Sequence, residues 1–94
     1  MPTTPQWNRV RVAADADAGI GTLQAVLLTG FGGAATLKIY DAATATGDTV
    51  LEVGALSSGT TFIDLASAGC SIKCTTGMYA DITGTNAFAI LWKG

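Results

Sequence analysis

Apolar and polar residues alternate with a period of two along most of the chain, which is typical of β-strands with one buried face. The alternating segments recur about every ten residues and are separated by turns rich in Gly, Asp or Ser. The pattern predicts eight strands, at residues 6–12, 22–29, 35–40, 49–53, 60–65, 70–75, 78–83 and 87–92. Short strands at this spacing favour an all-β fold, either an antiparallel β-sandwich or a jelly-roll-like barrel.

The same alternation assigns side chains to faces. In the second predicted strand it places Leu23, Ala25 and Leu27 on one side. Residues 13–18 and 42–45 are rich in Ala, but they lie among Asp, Thr and Gly and lack an apolar stripe of helical period. A single helical turn stays open in these loops, and we expect no long helix.

One stripe of the first strand is a candidate protein contact. Trp7, Arg9 and Arg11 share the face opposite Val10 and Val12. Trp and Arg are favoured anchors of protein interfaces, which is the functional interpretation. The alternative is an ordinary outward strand face with a partly covered Trp.

The first six residues form a segment of different character. They contain both prolines of the chain, Pro2 and Pro5, and no charged side chain. Because proline cannot donate to a sheet ladder, we expect residues 1–6 to be an extended arm and residues 7–94 to be a single sandwich domain. An arm that orders on a neighbouring subunit would make Pro2 and Pro5 interface residues, and a frayed terminus is the alternative.

Composition excludes several classes of protein. The chain has 94 residues, of which 49% are hydrophobic and only 13% are charged, and its net charge is −2. It is too apolar for a disordered segment and has no basic cluster for nucleic acid. No run of about 18 apolar residues exists to cross a membrane, and the N-terminus lacks the features of a secretory signal.

The chain has few of the residue combinations that catalysis requires. It has no His, so neither a Ser–His nor a Cys–His pair can form, and its acidic residues are scattered singly. We therefore expect no enzyme activity and no catalytic residues. The spacing of Asp15, Asp17 and Gly19 begins like a calcium loop, but Gly19 and Val26 stand where the EF-hand needs oxygen ligands. A solvated loop without metal is the favoured interpretation.

The glycine and cysteine motifs are also incomplete. Gly19 and Gly21 begin a dinucleotide fingerprint, but Gln24 replaces its third glycine and no helix is predicted, so we expect no cofactor. Cys70 and Cys74 lie on one predicted strand, about 13 Å apart, which is too far for a disulfide. We expect both to be free and to face inward.

The last third of the chain resembles a family of small virion proteins. Residues 76–92 (TGMYADITGTNAFAILW) resemble the closing hairpin of structural proteins from tailed bacteriophages. Residues 37–42 (LKIYDA) and 47–51 (GDTVL) look like their middle strand pair, and residues 62–65 (FIDL) resemble the strand before a Gly-rich turn. The resemblance covers about residues 22–92 and carries over no catalytic or metal-binding residue.

The resemblance implies a structural role in a virus particle. The favoured hypothesis is a head decoration, or cement, protein that is made in the host cytoplasm and resides on the capsid surface. It would bind the major capsid protein as a symmetric homo-oligomer, a trimer, and stabilise the assembled shell. The alternative is a receptor- or glycan-binding β module of a tail or fibre, which should present a cleft lined by aromatics such as Trp7, Tyr40 or Tyr79.

Overall fold

Nine β-strands and no helix make up residues 7–94, the part of the chain that the computed structural model describes. The strands are β1 (Asn8–Val12), β2 (Ala16–Asp17), β3 (Gly21–Thr29), β4 (Ala35–Tyr40), β5 (Thr49–Ala55), β6 (Thr60–Asp64), β7 (Ile72–Cys74), β8 (Tyr79–Thr83) and β9 (Phe88–Lys93). All eight predicted strands have counterparts. The alternating pattern misses β2, because two residues are too few to show a period.

The strands form two antiparallel sheets that enclose one core. The five-stranded sheet has the order β1-β9-β3-β6, and β7 also pairs with β3. The four-stranded sheet has the order β2-β8-β4-β5. The predicted all-β class is confirmed, and among the described strands the two sheets share no hydrogen-bonded pair, so the architecture is a sandwich rather than a closed barrel.

The core consists of the inward side chains of both sheets. Alternation along β4 buries Leu37 and Ile39, while Lys38 between them points outward. The largest fully buried side chains are Leu23, Val26, Leu28, Leu37, Ile39, Cys74, Met78 and Leu91. Aliphatic side chains of this size contribute roughly 1.5–3 kcal/mol each on burial, so the sandwich depends on both sheets staying together.

A β-bulge in β3 changes which of its residues face the core. The register of β3 against β9 shifts between Leu23 and Ala25, so that one extra residue is accommodated at Gln24. Leu23 therefore shares the core with Val26 and Leu28. The predicted grouping of Leu23 with Ala25 and Leu27 is wrong for this reason, since strict alternation does not hold across a bulge.

Two loops are held together at one end of the sandwich. The Asp41 carboxylate accepts hydrogen bonds from the backbone N–H of Thr76, at 2.9 Å, and of Gly77, at 3.4 Å. This contact brings the backbone of Ala42 against Gly77. A Cβ added at Gly77 would lie only 2.5 Å from the Ala42 carbonyl oxygen, so this close approach requires glycine.

We expect Gly77→Ala to destabilise the protein by about 1–3 kcal/mol, since the new methyl group must displace backbone rather than a flexible side chain. Chemical denaturation measures the loss. Gly33→Ala is the matched control, because a Cβ at Gly33 meets nothing within 4 Å and this glycine does not have a positive φ. Equal stability of the two variants would contradict the close packing of these loops.

Candidate interaction surface

The outer side of the five-stranded sheet is unusually apolar for a surface. The strand registers place outward side chains in rows that cross β1, β9, β3 and β6. One row reads Arg9, Trp92, Ala25 and Asp64, and the next reads Arg11, Ile90, Leu27 and Phe62. A third row holds Phe88, Thr29 and Thr60. We call these eleven residues the aromatic face.

Aromatic rings pack against one another on this face instead of entering the core. Phe62 and Trp92 meet edge to face, with ring centroids 5.9 Å apart. Phe88 stacks on Phe31, which follows β3, at 6.1 Å. Phe62 is 56% exposed and Phe31 is 48% exposed. Large aromatic side chains left in solvent in this way are characteristic of surfaces that bind another protein.

The small side chain of Ala25 allows this arrangement. In the register Ala25 lies between Trp92 on β9 and Asp64 on β6, on the outward side of β3. It is nevertheless only 2% exposed and lies outside the core cluster. The Phe62 and Trp92 rings contact each other across β3 beside Ala25, and this contact accounts for its low exposure.

Of the predicted contact residues, Arg9 and Arg11 belong to the aromatic face. Both are exposed on β1, and the Arg11 guanidinium lies 4.6 Å from the centre of the Phe88 ring, a cation–π geometry. Trp7 is half-buried at the end of β1, where a Cβ on Gly94 would lie 3.0 Å from its ring. Pro2 and Pro5 lie outside the described residues, so the arm stays a prediction.

Sequence reasoning missed the centre of the surface. Phe88, Ile90 and Trp92 alternate along β9 and all point outward, while Ala89 and Leu91 between them are buried. Residues 87–92 (AFAILW) form an apolar run without alternating polar positions, and such a run is typical of a strand that is covered on both faces. Phe62 could not be placed beside Trp92 from sequence, because β6 and β9 join only through β3.

The outer side of the four-stranded sheet is polar by comparison. Its outward residues include Thr36, Lys38, Tyr40, Glu52, Tyr79, Asp81 and Thr83, which we call the polar face. Lys38 lies in register between Glu52 on β5 and Asp81 on β8. Water can hydrogen-bond to the side chains of the polar face, so this face is stable in solvent. The aromatic face has few such groups and is better suited to contact with another protein.

The aspartates of the loop before β3 bind backbone N–H groups. Asp17 Oδ1 accepts hydrogen bonds from Gly19 N, at 2.8 Å, and Met78 N, at 3.0 Å. Asp15 Oδ1 accepts one from Ile82 N, at 2.8 Å. Residues 13–17 are exposed, as a solvated loop requires, but the loop also contains β2, and its carboxylates fasten β2 to β8.

Neither a metal cluster nor a membrane-spanning helix is found in residues 7–94. A shallow, mainly apolar cleft of about 260 Å³ is lined by Ile20, Gly21, Thr22, Lys73, Cys74 and Thr75. Aromatic side chains are not among these lining residues, so the cleft does not resemble the aromatic-lined cleft that the binding-module alternative predicts.

The two cysteines are free, as predicted, but they differ in environment. Cys74 is buried on β7, whereas Cys70 is exposed, so the prediction that both face inward is wrong for Cys70. The chain turns through residues 66–70, and the Cys70 N–H donates to the Leu65 carbonyl instead of joining a ladder. β7 consequently begins only at Ile72.

No protein-family model matches the chain, and neither a curated protein nor a solved structure gives a significant match.

We expect a thiol reagent to label Cys70 rapidly and Cys74 about 100-fold or more slowly, because labelling of a buried thiol requires local opening. Burial, reinforced by the negative charge of Asp41, also raises the pKa of the Cys74 thiol and so lowers the reactive thiolate fraction. Absorbance during titration measures both phases, and denaturation should release two thiols. Cys70→Ser should remove the fast phase alone; a remaining fast phase would contradict the assignment.

We expect the Asp41 contact to weaken at acid pH. The hydrogen bond from the Thr76 N–H holds the pKa of this carboxyl below its ordinary value of 3.8. A carboxyl with a lowered pKa stabilises the fold above its unfolded pKa and loses that contribution as pH falls through the folded pKa.

The melting temperature of Asp41→Asn should therefore fall less than that of the wild type between about pH 5 and pH 2. Thermal melts across this range measure the difference. Asp48→Asn changes an exposed residue of the same loop and is the matched control, which should follow the wild type. Parallel profiles for the wild type and Asp41→Asn would refute the contribution of this carboxylate.

Proposed function

We propose that this chain is a structural subunit of a virus particle, a head decoration protein of a tailed bacteriophage. The observation that carries the proposal is the contrast between the aromatic face and the polar face. A small domain with one apolar outer face is best suited to an assembly in which another protein covers that face. The resemblance of residues 22–92 to small phage virion proteins supplies the kind of assembly.

The mechanism of a decoration protein is preferential binding. A subunit that binds the assembled shell of major capsid protein, but not its dissociated parts, shifts the equilibrium toward the shell. No catalytic step and no cofactor enter this mechanism. It requires a rigid domain with a preformed contact surface, and the rows of the aromatic face are fixed by paired strands rather than by loops.

The location of the chain in the particle tests the proposal. We expect quantitative mass spectrometry of purified virions of the encoding phage to find on the order of hundreds of copies per particle, because a decoration protein follows the symmetry of the shell. Heads made without the chain should release DNA at a lower temperature than complete heads, and adding purified chain should restore the difference. Absence of the chain from virions would refute the proposal.

A second candidate function has a specific observation in its favour. Tyr40 and Tyr79 lie side by side on the polar face, with ring centroids 6.5 Å apart. Half-buried aromatic rings beside charged groups can stack on sugars with their open side, as a receptor- or glycan-binding module of a tail or fibre would need. About ten copies per virion, together with glycan binding that Tyr40→Ala abolishes, would favour this function over decoration.

A further inference from the structure

We propose that the aromatic face binds a second copy of this chain in a two-fold symmetric pair. The inference rests on the proposed function only in taking this face as a protein contact, and it names the partner. The argument comes from the order of residues within the rows. A contact between identical faces requires the surface to be complementary to itself, and few surfaces meet that condition in both charge and size.

The first row meets the condition in charge. It begins with Arg9 on β1 and ends with Asp64 on β6, at opposite edges of the face. A two-fold axis that runs parallel to the strands, between the two faces and midway between β9 and β3, exchanges these edges. Arg9 of each copy then lies opposite Asp64 of the other, and the symmetry makes this ion pair twice.

Asp64 is prepared for this role. Its carboxylate accepts hydrogen bonds from Ser67 N, at 3.0 Å, and Ser67 Oγ, at 2.8 Å. The backbone hydrogen bond of Ser67 lowers the pKa of the Asp64 carboxyl, so the group is charged at neutral pH. The two hydrogen bonds from Ser67 also orient the Asp64 carboxylate, so less side-chain entropy is lost when this carboxylate pairs with a guanidinium.

The remaining positions match in size and chemistry under the same axis. In the first row Trp92 comes opposite Ala25, so the largest side chain faces the smallest. In the second row Ile90 comes opposite Leu27, and Arg11 comes opposite Phe62, which is a cation–π pairing. The 56% of Phe62 that is exposed in a single copy would then be covered.

The alternative two-fold arrangement is disfavoured. An axis across the strands would superpose β1 on β1 and bring Arg9 and Arg11 of one copy against the same arginines of the other. Like charges repel, and the Asp64 side chains of both copies would likewise lie along one shared edge. The charge order of the rows thus selects the axis along the strands.

The size of the face sets the expected affinity. Four strands about 4.8 Å apart, each contributing five residues of about 3.4 Å, give a face of roughly 19 by 17 Å. Two such faces give roughly 650 Å² in total, which is below the usual size of a stable specific pair, so we expect a weak, reversible dimer with a dissociation constant of about 100 µM.

Sedimentation of the full chain over a concentration series from about 5 µM to about 1 mM tests the pair. The wild type should pass from monomer to dimer. Arg9→Glu places two acidic pairs in the interface, and Asp64→Lys places two basic pairs, so each variant alone should associate at least about tenfold more weakly. An equimolar mixture should form a heterodimer, because every edge contact then joins opposite charges.

Two controls separate association from folding. Thr36→Glu adds a charge to the polar face and should leave the dimer intact. Asp64→Lys also removes the acceptor for Ser67, so Asp64→Asn, which keeps an oxygen acceptor, provides a second test. Adding Asp64→Asn to Arg9→Glu should recover part of the association that Arg9→Glu loses.

A chain that stays monomeric at about 1 mM, a trimer, or a mixture of variants that associates no better than either alone would overturn the two-fold pair. These results are distinguishable from failure of the proposed function. A monomer present in hundreds of copies on virions would leave decoration standing and assign the aromatic face to another protein. A dimer that is absent from virions would support the two-fold pair and refute the decoration role.

Discussion

The bulge in β3 is the feature on which the rest of the molecule depends. β3 is paired with β9 along one edge and with β6 and β7 along the other, so its side chains decide what lies inside and outside the five-stranded sheet. The extra residue between Leu23 and Ala25 turns Val26 and Leu28 into the core and Leu27 outward. Without it, either end of the strand would present the wrong face, because side chains alternate with a period of two. The bulge thus lets Leu23 at one end of β3 and Val26 and Leu28 at the other face the same core, while Leu27 joins the aromatic face.

Three of the few charged side chains hydrogen-bond to backbone in distant parts of the sequence. Asp15 and Asp17 accept N–H groups of residues 82 and 78, and Asp41 accepts those of residues 76 and 77. These carboxylates fasten the segment around β8 to loops from distant parts of the sequence. A backbone N–H that lacks a ladder partner needs another acceptor, and a carboxylate is a strong one. Charge that resembles a metal site in the sequence is therefore used to close the end of the sandwich.

The two outer faces show how a small sandwich can be specialised through the flat surfaces of its sheets. Lys38, Glu52 and Asp81 give the polar face to solvent, whereas Phe62, Ile90 and Trp92 make the opposite face apolar. A domain of this size gains little from its own core, and contact with another protein adds to its stability. Structural subunits of a large shell gain stability in this way, because they contact other proteins. The proposed decoration role requires another protein to cover the aromatic face, and the proposed two-fold pair makes a second copy of the chain that protein.

Alternation and turn residues in the sequence by themselves determined the fold class, most strand positions and the outward direction of Arg9 and Arg11. These are local properties, since a strand of five or more residues carries its own period. Tertiary structure alone decided the bulge at Gln24, the exposure of Cys70, the pairing of β2 and the meeting of Phe62 with Trp92. Each of these depends on which strands become neighbours, and β6 and β9 reach one another only across β3. The sequence of one strand does not reveal its register against another strand, so contacts between strands that are distant in the sequence cannot be predicted from it.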